Sequence, residues 1–175
     1  MSLSSRSALA LVLVMVAAGA CATTAVAENR ASPATATGPA AGDATLAARL
    51  DTREVRYERD PDGDYRVVFA WQQEGRSQVA FVSGRAHVFG DSAVREVFSP
   101  AARVPAGGFG AERSDMLLRD SQSNVLGAWE VAGDVLFYVI KLHDDADGAR
   151  LEQALEAAAQ LADDMELRLT GEDRL

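Results

Sequence analysis

Two aspartate-rich segments carry the residue types that bind hard cations such as Ca²⁺. Residues 60–64 read DPDGD, and residues 143–148 read HDDADG. A calcium-binding EF-hand loop requires Gly at its sixth position and Glu at its twelfth. Gly63 is only the fourth residue of the first segment, and Ala154 is the twelfth residue counted from His143. We therefore interpret the first segment as a turn between strands. The second is interpreted as an acidic loop whose aspartates favour the N-terminus of a following helix.

The histidines and serines give no catalytic or metal-binding pattern. His87 and His143 are far apart in the sequence, and neither has a Cys or another His at metal-binding spacing. The chain contains no Gly-x-Ser-x-Gly nucleophile elbow, no phosphate-binding loop and no dinucleotide fingerprint. The sequence therefore predicts no catalytic residue, no metal and no cofactor, and it favours a protein that is not an enzyme.

Two tryptophans, Trp71 and Trp129, lie in segments with strand character. Core packing is the usual role of aromatic side chains in strands. Because alternation along a strand directs some side chains to the outer face, both are also candidates for an exposed groove that binds a peptide or a lipid. They form the candidate binding surface.

The single cysteine, Cys21, follows a segment typical of an export signal. Residues 8–20 are apolar and uncharged, and Arg6 precedes them. As a helix this run reaches only about 20 Å, too short for a bilayer core of about 30 Å. The sequence AGAC ending at Cys21 resembles a lipobox, which predicts a signal peptide over residues 1–20 and a lipid on Cys21. The alternative is cleavage after Ala27, which would leave a soluble periplasmic or secreted protein.

Charge limits the classes of partner. The chain has 17 basic and 26 acidic residues, a net charge of −9. A nucleic-acid-binding protein needs clustered cations, so we exclude that class. Charge gives no attraction to an anionic membrane surface either. Membrane contact is expected only through a lipid on Cys21.

The rest of the chain divides into a linker and one domain. Residues 22–42 are rich in Ala, Thr, Pro, Gly and Ser and predict a disordered tether. Residues 43–175 are sufficient for one domain. Their hydrophobic pattern predicts an α+β fold with about five strands in a largely antiparallel sheet. The expected elements are a helix (44–50), a three-strand meander (54–58, 65–72, 78–83), a helical connection (91–98, 111–120), a hairpin (125–131, 135–142) and a C-terminal helix (151–165).

Burial can also be predicted from the pattern. The strand over 135–142 is nearly all apolar and should be covered on both faces. In the last helix, Asp163 is expected on the polar side. Met116 to Leu118 should form the buried side of the helix over 111–120. The residues expected on the buried side of the last helix are Leu151, Leu155, Ala158, Leu161, Ala162 and Met165.

The second half of the chain resembles the YbjN family of bacterial proteins, which share the fold of type III secretion chaperones. The resemblance covers most of residues 55–169, and residues 82–104 are similar to exported members more loosely. It implies a chaperone-like fold and a binding role, and it brings no active-site residues. The residues that carry it are Leu117-Leu118, Ser123-Asn124, Gly127-Ala128-Trp129-Glu130, the apolar strand to Leu142, and Ala162-Asp163-Asp164-Met165-Glu166.

These observations together predict an exported, non-enzymatic envelope protein. We expect a protein-binding or chaperone-like module, tethered in the periplasm as a lipoprotein through Cys21. Its partner would be another envelope protein, and a homodimer is left open. The alternative is a small-ligand-binding or hydrolytic periplasmic protein with an unrecognised site.

Overall fold

The computed structural model describes residues 44–72 and 75–171 of the chain. The predicted signal peptide (residues 1–20), the lipobox at Cys21, the alternative cleavage after Ala27 and the tether (residues 22–42) lie outside the described residues. They stay predictions.

The α+β class is confirmed. The described residues form three helices and six strands, one strand more than expected. In chain order they are α1 (Ala44–Thr52), β1 (Glu58–Arg59), β2 (Tyr65–Trp71), β3 (Arg76–Phe89), β4 (Ser92–Arg103), α2 (Gly110–Ser123), β5 (Ala128–Ala132), β6 (Val135–His143) and α3 (Gly148–Thr170).

The strands form one antiparallel sheet in the order β1-β2-β3-β4-β6-β5. Helix α3 packs across β2, β3, β4 and β6, while α1 contacts α3 and α2 contacts β5. In the described residues the helices therefore lie on one side of the sheet. Residues paired across strands share a face, so the register places Val67, Ala80, Val97 and Ile140 on this helix face. We call the other side, which carries Val68, Val79, Phe81, Phe98, Pro100, Phe137 and Val139, the open face.

The helix predicted over residues 91–98 is wrong, because this segment is the first part of β4. The spacing of its apolar residues fits a helix, yet Val97 points to the helix face and Phe98 to the open face. Pairing with β3 on one side and β6 on the other outweighs the local pattern. Pro100 lies at a β-bulge between Pro100 and Ala102. A bulge is where an interior strand tolerates proline.

The strand predicted over residues 54–58 is also wrong in extent. Only Glu58 and Arg59 pair with β2, opposite Arg66 and Tyr65. Glu54 has a φ of 57°, which turns the chain away from an extended path after α1.

The turn predicted for the DPDGD segment is confirmed. One carboxylate oxygen of Asp60 accepts hydrogen bonds from the backbone N–H groups of Asp62 and Asp64, at 3.0 and 2.9 Å. An aspartate that accepts such bonds within its own turn stabilises the reversal between strands. The Asp60 carboxylate therefore has a structural role in the turn.

Helix α3 confirms the strongest of the predicted helices. The side chain of Asp147 caps its start by accepting a hydrogen bond from the N–H of Arg150 at 2.9 Å. Gly171 ends it with a φ of 73°, the left-handed conformation that suits glycine. No helix in the described residues is both long and apolar enough to cross a bilayer. The buried apolar residues of α3 are Leu151, Ala154, Leu155, Ala158, Ala159, Ala162 and Met165, while Leu161 is half-buried.

Three burial predictions are wrong. Asp163, expected on the polar side, is only 2% exposed, and Arg76 at the start of β3 forms an ion pair with it. Leu117 is buried as predicted, but Leu118 is 70% exposed. Strand β6 is interior to the sheet, yet in the described residues helices cover only one of its faces, so Phe137 is half-buried on the open face.

Candidate binding surfaces

Trp71 lies in a groove between the end of β2 and helix α3. Its ring stacks with that of Phe69, with ring centroids 6.4 Å apart and planes inclined by 21°. The aromatic rings form one wall and polar residues of α3 form the other. The volume of this Trp71 groove is about 460 Å³, and its lining is Phe69, Trp71, Gln153, Glu156, Ala157 and Gln160.

The Trp71 groove continues toward α1 as a second depression of about 190 Å³. Phe69 and Glu156 line both. At the rim, the Arg53 guanidinium forms an ion pair with Glu152, with Nη2 and Oε2 2.7 Å apart. Carboxylates outnumber guanidinium groups, with Glu54, Glu152 and Glu156 against Arg53 and Arg56.

The edge of β2 beside this groove is incompletely paired. On one side, every residue from Tyr65 to Trp71 pairs with β3. On the other side β1 pairs only with Tyr65 and Arg66, so within the described chain residues 67–71 have no strand partner there. Unpaired edge backbone can hydrogen-bond to another chain.

Trp129 occupies a different environment near the other end of the sheet. Its indole N–H donates to Asp120 of α2 at 2.7 Å, and its ring meets Tyr138 edge-on with centroids 4.9 Å apart. The backbone N–H of Trp129 donates to the hydroxyl of Ser121 at 3.0 Å. Burial, with the nearby charge of Asp120, raises the pKa of the Tyr138 phenol. Trp129 thus joins α2 to the sheet.

The structure does not bring the two candidate tryptophans together. Strands β3, β4 and β6 lie between β2 and β5, and four strand spacings of about 4.8 Å separate the two residues by about 19 Å. Trp71 lines an open groove, whereas Trp129 packs between elements of the domain. The groove that contains Trp71 does not include Trp129, and Trp71 is the residue that we retain as a candidate.

The open face carries a row of aromatic residues that we had not predicted as a site. Phe81 and Phe98 are stacked, with centroids 5.1 Å apart and planes inclined by 10°. Phe137 meets Phe98 edge-on at 5.7 Å. The alternation of apolar residues on β3 and β6 is visible in the sequence. It predicts a row of aromatic residues on one face only if residues 92–103 are recognised as the strand between β3 and β6.

A third, polar depression lies beside the Asp60–Asp64 turn. Its volume is about 440 Å³, and its lining is Pro61, Asp62, Asp64, Ser83, Arg85 and His87. Asp64 accepts a hydrogen bond from the N–H of Gly84 at 2.8 Å, and burial raises the pKa of its carboxyl. Strand register places His87 and His143 on either side of Val94. Among the described residues, no group of three or more His, Cys, Asp or Glu side chains could hold a metal ion.

No family model and no curated protein matches this sequence.

Proposed function

We propose that this protein is a non-enzymatic binding module of the bacterial envelope that accepts an extended segment of another envelope protein in the Trp71 groove. The observation that carries the proposal is the unpaired edge of β2 beside a stacked aromatic pair. A lipid on Cys21 would hold the module at the membrane, and a chaperone-like fold of the YbjN kind belongs to the same proposal. An antiparallel sheet with helices on one side is compatible with that fold.

The backbone supplies the affinity in this binding mode. An extended peptide laid along residues 67–71 can form main-chain hydrogen bonds with the free edge of β2, as in β-strand addition. Alternate side chains of the peptide then point toward α3. The backbone groups of β2 that lack a strand partner are thus the first half of the site.

The Trp71 groove supplies the selectivity. Phe69 and Trp71 offer an apolar contact for a large apolar or aromatic side chain of the peptide. Glu156 favours a neighbouring basic side chain, because complementary charges increase the association rate and exclude acidic partners. The aromatic, amide and carboxylate side chains that line the groove suit ligand binding better than nucleophilic catalysis. The segment that fits is therefore extended, with an apolar residue and a basic residue.

Affinity capture from detergent-solubilised envelope extract tests the proposal. The purified protein is immobilised and the bound proteins are identified by mass spectrometry, with Trp71→Ala and Glu156→Lys run in parallel. We expect one near-stoichiometric partner with the unmodified protein and its loss with both variants. Peptides from that partner would then be titrated against Trp129→Phe, in which Trp71 is the only tryptophan left. The expected result is a saturable change in tryptophan fluorescence.

The matched control is Phe89→Ser. Phe89 is 75% exposed at the tip of the β3–β4 hairpin, away from the groove. Retention of the partner by Phe89→Ser and its loss with Trp71→Ala would separate the groove from general surface hydrophobicity. A partner captured equally by Trp71→Ala, Glu156→Lys and the unmodified protein would refute the assignment to the groove.

A second candidate function is the binding of a small polar ligand in the depression beside the Asp60–Asp64 turn. The convergence of Asp64, Arg85 and His87 in one depression favours it. Thermal stabilisation by a member of a periplasmic metabolite panel, abolished by His87→Ala and retained by Trp71→Ala, would select this function. No stabilisation by any compound, together with capture of a protein partner, would select the groove.

A further inference from the structure

The open face of the sheet has the composition of an interface. Strand register aligns Val68 with Val79, Phe81 with Phe98, and Pro100 with Phe137. Val68 is 54% exposed. In the described residues the helices contact the other side of the sheet. Apolar strand faces are usually covered by a second layer, because they cannot otherwise be removed from water.

The charges of the open face are balanced although those of the chain are not. Lys141 donates a hydrogen bond to Glu130 at 2.6 Å and lies 3.7 Å from Glu96. At the β2 end, the Arg66 guanidinium lies 3.5 Å from Glu58. Two copies of this face could therefore approach with little net repulsion, even though each chain carries −9. The charged residues that the register assigns to this face are Arg66, Arg103 and Lys141 against Glu58, Glu96 and Glu130.

The order of the strands allows the face to pair with itself. Strand β4 is the centre of β2-β3-β4-β6-β5. A two-fold axis along β4 would place Phe98 against Phe98 of a second copy, and β3 against β6. Val79 would then lie across from the second copy's Phe137, and Arg66 within side-chain reach of the second copy's Glu130. Such an isologous contact closes on itself, as in most homodimers.

The area is compatible with a reversible dimer. Five strands about 4.8 Å apart and three outward residues per strand, about 6.8 Å apart, give a face of about 24 by 20 Å, or about 480 Å² per copy. Two copies together bury about 1,000 Å², near the lower limit for specific interfaces. Two sheets packed about 10 Å apart and aligned within about 30° would form a β-sandwich.

We infer that two copies of this protein associate through the open faces of their sheets, with Phe98 at the two-fold axis and Arg66 of each copy beside Glu130 of the other. The dimer does not depend on the proposed function, because Phe69 and Trp71 lie on the helix face. Each dimer would carry two Trp71 grooves on its outer sides.

Sedimentation velocity over a range of protein concentrations tests the inference. The unmodified protein is expected to shift from monomer to dimer as concentration rises. Phe98→Asn should weaken association by about tenfold or more, because central aromatic residues dominate interfaces. Phe89→Ser removes a more exposed phenylalanine outside the contact and should leave the association constant unchanged. Circular dichroism checks that Phe98→Asn is folded.

Charge reversal gives a second test that leaves the aromatic row intact. Arg66→Glu and Glu130→Arg should each weaken the dimer, because each places two like charges opposite one another across the interface. The double variant should restore the dimer, because opposite charges again face one another at residues 66 and 130. A protein that stays monomeric up to about 1 mM, where weak complexes are still detected, would overturn the inference. A dimer unaffected by both Phe98→Asn and Arg66→Glu would overturn it equally.

Discussion

The Arg95 guanidinium, only 2% exposed, is neutralised by the carboxylate of Asp144. Nε of Arg95 donates to Oδ1 of Asp144 at 2.6 Å. Arg49 of α1 reaches the same loop, and its Nη1 donates to the carbonyl oxygen of Ala146 at 2.8 Å. The loop between β6 and α3 thereby links β4 to α1.

Substitution of Asp144 by Ala should destabilise the domain by about 3 kcal/mol, since it removes the carboxylate that accepts a hydrogen bond from a buried guanidinium. We place the value at the lower end of the usual range because the Asp144 side chain is 30% exposed. Urea unfolding measures the loss in free energy of unfolding. Asp145→Ala is the control on the adjacent exposed residue, with an expected change within about 0.5 kcal/mol. Arg95→Met in the Asp144→Ala background should recover part of the loss, and no recovery would contradict this account.

The features that the sequence predicted correctly depend on short-range patterns. Helix α3 shows a long amphipathic repeat with a capping aspartate, and β6 is a continuous apolar run beside a Gly133-Asp134 turn. Both kinds of pattern are complete within a single element. The α+β class and the DPDGD turn could be predicted for the same reason.

The features that were missed depend on contacts between distant residues. Residues 92–103 form a strand because β3 and β6 flank them, and no local pattern indicates that. Asp163 is buried because Arg76 lies opposite it. Trp71 was identified as a candidate from its strand position, but the polar wall of its groove comes from α3, which lies about eighty residues later in the chain.

Gly84 is required by a close approach to the turn before β2. A Cβ atom at residue 84 would lie 2.1 Å from the carbonyl oxygen of Gly63, a backbone atom that cannot move independently of the turn. Gly84→Ala should therefore destabilise the protein by about 1 to 3 kcal/mol, the usual cost of overpacking. Thermal or urea unfolding measures it. Gly133→Asn is the control, because Asn tolerates the φ of 60° there and nothing lies within 4 Å. Equal effects of the two substitutions would refute the close-contact explanation.

Asp64 should make the stability of the domain depend on pH in the direction opposite to most aspartates. Burial raises the pKa of its carboxyl, the Gly84 N–H opposes the shift, and Asp60 and Asp62 add to it. Since its pKa is higher in the folded than in the unfolded state, the folded state binds the proton more readily. The contribution of Asp64 thus favours folding as pH falls through the folded pKa, and it opposes folding above that pKa.

The corresponding test is Asp64→Asn, which cannot ionise but can still accept the hydrogen bond from Gly84. At pH 7 the variant should be at least as stable as the unmodified protein, and its advantage should disappear near about pH 4, where aspartate becomes protonated in the unfolded chain. Urea unfolding at both pH values gives the comparison, and the exposed Asp62 provides the control substitution Asp62→Asn. A variant that is clearly less stable at pH 7 would show that the ionised carboxylate is stabilising.

Lipid modification of Cys21 is the prediction on which membrane attachment depends. Expression of the full chain in a bacterium supplied with labelled palmitate should label the protein and place it in the membrane fraction. Cys21→Ser should abolish the label and block cleavage at that site, because the lipid is attached to the cysteine sulfur and the processing enzyme cleaves before the lipid-modified cysteine. The competing outcome is an unlabelled soluble protein that begins at Glu28, which would establish cleavage after Ala27. Because the Trp71 groove is lined only by residues of the folded domain, the proposed binding predicts that Cys21→Ser changes the location of the protein without changing its affinity for a partner peptide. A loss of affinity in that variant would show that residues before the domain contribute to the site.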